Sequence, residues 1–281
     1  MSDRLAEVGW RIATVRQLGA VVNAMRGIAG ARAQQSRALL PAIRAYAEVA
    51  AGAIAQARRL DRSEPAEPQR PGKARPGLIV FGAEQGFAGA FVEQALDAAR
   101  GDFGHAYILL VGTRAAALAG ERGLAAEWQT SLPNRAAAIP DTARRIVEAV
   151  YDYLASAGPA PVAMLFPVWR AAGGVTIVRR SLLPFDPAGT SASGTGAVPL
   201  TNLPPAELIV RLAQEHVFAQ LCEAAAEAFA AENEARMATM AAAKTNIDGK
   251  LAALQAEERL TRQEEITAEV VELAAGARSR R

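Results

Sequence analysis

The sequence contains one cysteine, two histidines and only 5% aromatic residues in 281 positions. The lone Cys222 excludes an internal disulfide framework and any multi-cysteine metal site, and it reads as a small buried helix residue. His105 and His216 lie in separate regions with no neighbouring cysteines or paired carboxylates, so neither is expected to hold a metal or activate a nucleophile. A dominant charge is missing too. The 31 Lys+Arg face 29 Asp+Glu for a net +2, which gives no support for a polyanion-binding role, and no nucleic-acid partner is expected. No run of about 18 consecutive apolar residues occurs. The first twenty residues carry Asp3, Arg4, Glu7, Arg11 and Arg16 where a secretory signal needs an apolar centre. Membrane association is therefore expected only through partners.

What is present is alanine. It dominates the 51% hydrophobic fraction and favours helices over sheets. The charge that cancels overall is unevenly placed: residues 1–62 hold ten Arg against four acidic residues, a local +6, whereas residues 206–281 hold nine basic and thirteen acidic residues, a local −4. The centre is neutral. Opposite charges at the two ends favour their pairing.

In the first sixty residues, Leu5, Val8, Ile12, Val15, Leu18, Val22, Met25 and Ile28 recur three or four apart, and Leu40, Ile43, Ala47, Ala50 and Ile54 continue the stripe. This spacing predicts one long helix, with Pro41 expected to kink or interrupt it. Four prolines in 62–76 mark a linker. Beyond it, Gly77 to Gly82, Ala106 to Gly112, a weaker Leu124 to Thr130 and Val162 to Trp169 read as strands. The intervening segments near 89–100, 113–122 and 139–157 read as helices. Apolar strands alternating with such helices predict a parallel sheet covered on both faces, and Gly173-Gly174 suggests a hairpin into Val175 to Pro184. Residues 187–205 are a second, charge-poor linker. From Ala206 to Ala277 there is no proline, and Ile247, Leu251, Leu254, Ile266, Val270, Leu273 and Ala277 recur at helical spacing. The expected fold class is α/β. A long antiparallel coiled coil of the N-terminal (1–60) and C-terminal (206–281) helices is joined through linkers 61–76 and 187–205 to a Rossmann-like middle domain, 77–186.

The strongest enzyme-like signal is the turn Gly82-Ala83-Glu84-Gln85-Gly86-Phe87-Ala88-Gly89-Ala90, between a strand and a helix. Its spacing departs from Gly-x-Gly-x-x-Gly, and Glu84 would repel a pyrophosphate, so a structural turn is favoured over a phosphate site. Neighbouring acidic pairs Glu257-Glu258 and Glu264-Glu265 diverge around a helix and read as a solvated or partner-facing surface. Neither an active site nor a cofactor is expected. Two readings stay open beside a mechanical role: a dinucleotide-binding α/β enzyme with helical oligomerisation arms, and a coiled-coil scaffold.

Ile12-Ala13-Thr14-Val15, Ala24-Met25 with Ile28-Ala29 and Arg32, and Arg44-Ala45-Tyr46-Ala47-Glu48 resemble the first helix of the gamma subunit of F-type ATP synthases. Glu234-Ala235-Arg236-Met237 and Arg262-Gln263-Glu264-Glu265-Ile266-Thr267-Ala268-Glu269, with the later Gly276-Ala277, resemble its last helix. Gly86-Phe87-Ala88-Gly89 is similar to the family's glycine turn. The resemblance implies a central rotor shaft that couples transmembrane ion flow to ATP synthesis or hydrolysis in the α/β subunit hexamer. It also implies contacts with the epsilon subunit and the membrane c-subunit ring. It places hexamer contacts at Met25, Arg26, Ala29 and Arg32 on the first helix and at Arg259, Arg262, Gln263 and Thr267 on the last. The implied location is the cytoplasmic face of the inner or plasma membrane, as a peripheral protein.

Overall fold

The computed structural model describes residues 2–60, 74–170, 172–185 and 200–278. The expected linkers 61–76 and 187–205 lie mostly outside them. Helix α1 runs Ser2–Leu60, followed by β1 Gly77–Phe81, α2 Phe91–Ala99, β2 Tyr107–Val111, α3 Thr113–Glu121 and β3 Trp128–Thr130. Then come α4 Ile139–Ala157, β4 Val162–Arg170, β5 Gly174–Leu183 and α5 Pro205–Arg278. At 1.5 Å per residue, the 59 residues of α1 reach about 90 Å and the 74 of α5 about 110 Å. Contacts divide the chain into two units, Met1–Ile28 with Met237–Arg281, and Ala29–Arg236.

Proline does not interrupt α1. The helix continues through Pro41, and both Pro41 and Arg37, whose carbonyl loses its donor, are exposed, so water can satisfy that carbonyl. The segment Arg4–Leu60 is also long and apolar enough to cross a membrane by length and composition alone. Alanine supplies that hydropathy, and arginines interrupt it at 11, 16, 26, 32, 37 and 44.

In the larger unit the sheet order is β3-β2-β1-β4-β5, parallel except for the antiparallel β4–β5 hairpin. The β1 and β2 runs are buried on both faces, as expected from their unbroken apolar character. On one face Ile79, Phe81, Leu109, Val111, Met164 and Phe166 pack against α4 and the Val217–Phe229 part of α5. On the other, Leu78, Val80, Ile108 and Leu110 meet α2 and α3, and Ala231 and Ala235 of α5 join them. The strand expected over Leu124 to Thr130 is shorter than its apolar pattern, pairing only at Trp128–Thr130 on the sheet edge.

In the smaller unit α1 and α5 run antiparallel. Val8, Ile12 and Leu254 form its buried seam, flanked by Val15 and Leu251. A methyl placed on Gly19 would sit 3.3 Å from Ile247 Cγ2. Arg4–Glu264 (3.8 Å) and Arg11–Glu257 (4.0 Å) lie at the exposed rim, where such pairs contribute little. Because Arg4 already stands beside Glu264, the last turns of α5 extend past the start of α1. There Ile266, Val270, Val271 and Leu273 are 55–75% exposed, so among the described residues of this unit no helix covers the second half of the expected apolar stripe.

Candidate functional site

From Leu221 to Arg236 every residue of α5 is buried, whichever way it faces. The run reads Leu-Cys-Glu-Ala-Ala-Ala-Glu-Ala-Phe-Ala-Ala-Glu-Asn-Glu-Ala-Arg. Alanines let helix and sheet approach closely, and a helix enclosed all round must pair each polar side chain it carries. It does so. The Glu223 carboxylate accepts from Arg44 Nε of α1 at 3.0 Å and from Arg180 Nη1 of β5 at 2.6 Å. Glu227 accepts from Arg44 Nη2 at 2.5 Å, and Glu234 pairs with Arg37 at 2.8 Å. The Arg180 guanidinium also lies over the Phe166 ring, 5.1 Å from its centre.

Charge and burial compete here. Burial pushes the Glu223 carboxyl up, but the hydrogen bonds from Arg180 and Arg44 outweigh it and hold Glu223 below the usual carboxylate range. Burial of Glu227 prevails over Arg44 and raises that carboxyl. The bond to Glu223 raises Arg44 above its ordinary value.

A second polar cluster stands at the carboxyl ends of the parallel strands, where open α/β sheets bind their ligands. The backbone N–H groups of Glu84 and Gln85, in the glycine turn after β1, donate to the Glu232 carboxylate at 3.0 and 3.1 Å. Arg236 bonds Glu232 at 2.5 Å and donates to the Gly86 carbonyl at 3.2 Å. The Glu84 carboxylate in turn accepts from the Thr113 N–H and hydroxyl at the start of α3, and from the Leu132 N–H, at 3.0, 2.7 and 2.8 Å. Two carboxylates of the chain itself thus occupy donors that a phosphate would need. The turn is built to hold α5, which counts against the dinucleotide reading.

Steric limits fix the same crest. A methyl on Gly82 would lie 2.2 Å from Ala115 Cβ, and Gly112, at φ +119°, would bring one within 2.5 Å of the Ala83 carbonyl oxygen.

The residues singled out as hexamer contacts fall into separate groups. Met25 is half-buried; Arg26 is exposed and donates to Asn23 Oδ1 at 3.2 Å. Arg259, Arg262, Gln263 and Thr267 are exposed on α5. Arg262 lies 3.6 Å from Glu258, and the Thr267 hydroxyl donates to the Gln263 carbonyl at 2.8 Å. These residues stand beside the first turns of α1, roughly 30 Å of helix from Met25. Arg32, in the larger unit, is half-buried. Ala29 differs in being only 1% exposed in this chain. From sequence, Arg236 stands out only as part of the Glu234-Ala235-Arg236-Met237 motif, and the buried Glu223, Glu227 and Glu232 do not stand out at all, although the Arg37/Arg44 and Glu227/Glu234 pairs share a seven-residue spacing that fits one antiparallel face.

The architecture defines a class: a Rossmann-like sheet domain whose chain ends return as two very long antiparallel helices. A family model described as ATP synthase matches residues 4–279, and the chain belongs to the ATP synthase gamma-subunit family. The ATP synthase gamma chain of Frankia casuarinae is 27% identical over 99% of this chain and 98% of its own length. That of Geobacter metallireducens is 24% identical over 98% of each. Among solved structures, a chain of the Euglena gracilis mitochondrial ATP synthase in its OSCP, F1 and c-ring assembly aligns with TM-score 0.64 and 13% identity, covering 99% of this chain and 95% of that one. A chain of the rotor of the same enzyme aligns at 0.60 and 13%, over 95% and 100%. These two likenesses concern the fold. The F1 sector to which the family contributes is a peripheral part of a membrane complex.

Proposed function

We propose that this chain is the central shaft of a rotary ATP synthase, turning inside the hexamer of alpha and beta subunits and coupling ion flow to ATP synthesis or hydrolysis. The observation that carries this reading is the end of α5, where an apolar face of Ile266, Val270, Val271 and Leu273 extends beyond the start of α1. An exposed apolar end of this kind favours a surrounding sleeve. Met25, Arg26 and Arg32 on α1 and Arg259, Arg262, Gln263 and Thr267 on α5 are the proposed contacts with that sleeve. Polar and charged side chains on stiff helices suit contacts exchanged among equivalent neighbours during rotation. The larger unit is proposed to meet the epsilon subunit and the c-subunit ring at the cytoplasmic face of the membrane. In this role the chain itself performs no chemistry.

The test is coexpression with ATP synthase alpha and beta subunits from the same organism. A stoichiometric complex with ATPase activity supports the reading. Hexamers that purify without this chain, at any expression ratio, would overturn it.

A further inference from the structure

A shaft must do more than fit its sleeve, because torque applied at the sheet domain has to enter the helices without slipping. The stretch of α5 that passes the sheet is mostly alanine: Ala224, Ala225, Ala226, Ala228, Ala230 and Ala231 are buried, with Leu221 and Phe229 as its large apolar side chains between 221 and 231. Alanine ridges are shallow and resist rotation of a helix about its own axis weakly. Long side chains making directional, charge-assisted bonds resist it well.

We propose that Glu223 and Glu232 are two torsional anchors that fix α5 to the sheet and pass torque from the α/β domain into the helix pair. The proposal rests on the rotor reading above. Glu223 fixes α5 to β5 through Arg180 and to α1 through Arg44. Glu232 fixes it to the turn after β1 through the N–H groups of Glu84 and Gln85, and Arg236 adds the Gly86 carbonyl. Nine residues separate the two carboxylates, so they lie about 13 Å apart along the axis and, at 100° per residue, about 180° apart around it. Bonds on opposite sides of one helix form a couple. Rotation in either direction stretches both, whereas two anchors on one side would let the helix rock. The burial of these groups fits this role, since exposed pairs would exchange with water and be screened by salt.

The experiment uses the complete ATP synthase containing this chain, reconstituted in vesicles and also observed as single molecules. Arg180→Gln releases β5 from Glu223, Glu232→Gln weakens the turn contact, and the double variant combines them. Ser36→Ala is the control. It removes the buried bond from Ser36 Oγ to the Ala226 carbonyl (2.7 Å), which joins α1 to α5 without touching the sheet. The expected result is that the double variant assembles and hydrolyses ATP but loses ion pumping per ATP. In molecules stalled with the hexamer fixed, a probe on the sheet domain shows a broader angular distribution than in the parent. Arg180→Lys restores part of both, and Ser36→Ala leaves both at the parental values. Should the double variant fail to assemble, the single Arg180→Gln, at a half-exposed side chain, is read in the same way. Parental pumping and angular width in an assembled double variant, or in that single variant, would overturn the anchors; so would an equal effect of Ser36→Ala. A parent chain that assembles but never rotates would instead overturn the rotor reading itself.

Discussion

Removing the Glu232 carboxylate should damage the fold more than any surface change. In Glu232→Ala the Arg236 guanidinium, 5% exposed, keeps the Asn233 side chain and the Gly86 carbonyl but loses its only anionic partner among the described contacts. Breaking a buried ion pair by truncating one partner costs about 3–5 kcal/mol. The two N–H groups that lose their acceptor are partly buried, on the half-buried Glu84 and the exposed Gln85, so water replaces part of what they lose. The expected cost is therefore at the lower end, about 3 kcal/mol. For a chain of this size that lowers the melting temperature by roughly 6–12 °C. The assay is thermal melting of the full chain, joined to amide hydrogen exchange at Glu84 and Gln85, which should accelerate. The Glu232→Ala/Arg236→Ala double variant should cost less than the sum of the singles by about 1–3 kcal/mol, because the second truncation removes the stranded charge. A Glu232→Ala cost of about 0.5 kcal/mol or less, the scale of ordinary surface substitutions, with unchanged exchange would refute the reasoning.

The other expectations concern packing, pH and access. Gly82→Ala should destabilise by about 1–3 kcal/mol, since the new methyl overlaps Ala115, whereas Gly86→Ala, with open space around it, should be near neutral in the same melts. Leu254→Ala, in the seam of the smaller unit, should cost about 2–4 kcal/mol, while Leu273→Ala should leave the melt of the isolated chain unchanged and weaken its retention by the hexamer. Burial lowers His216 below its ordinary value despite the opposing bond between its Nδ1 and the Ala47 carbonyl. The folded chain therefore binds fewer protons at this site than the unfolded one. Its contribution is present above about pH 6.5, is lost as pH falls from there through the lowered folded value, and shows as a slope of melting temperature that His216→Gln should reduce. Burial pushes the Cys222 thiol up to about 12, so maleimide should not label the native chain at neutral pH; His105→Cys, at an exposed position, should take up one label, read by mass.

Much of the architecture is visible in local patterns. The strands announce themselves as unbroken apolar runs because both faces of a parallel sheet are covered, and the long helices by three-four spacing without breakers. Pro41 does not interrupt the helix, because helix breaking depends on whether the freed carbonyl can be hydrated, which only exposure reveals. The burial of Ala29 was not legible because a motif position carries no sign of which way its side chain faces, and small residues at helical spacing serve a seam as readily as a surface. The anchors were hidden for a different reason. Glu223 and Glu232 look like solvated charges on an alanine-rich helix, and their partners stand 43 to 179 residues away for Glu223 and about 150 for the turn contacted by Glu232. A clue existed for Glu223 alone: from 221 to 231 only Glu223 and Glu227 interrupt an apolar run, so no solvated face exists for them to join, whereas Glu232 stands among Asn233, Glu234 and Arg236.

Direct observation of rotation tests the central claim most closely. A complex of this chain with its alpha and beta subunits is fixed by the hexamer to a surface, and a bead is attached through His105→Cys on the sheet domain. Stepwise, unidirectional turning of the bead during ATP hydrolysis, at three dwell positions per revolution, is the result this account predicts. A stable, hydrolysing complex in which the bead only fluctuates about one angle would contradict it.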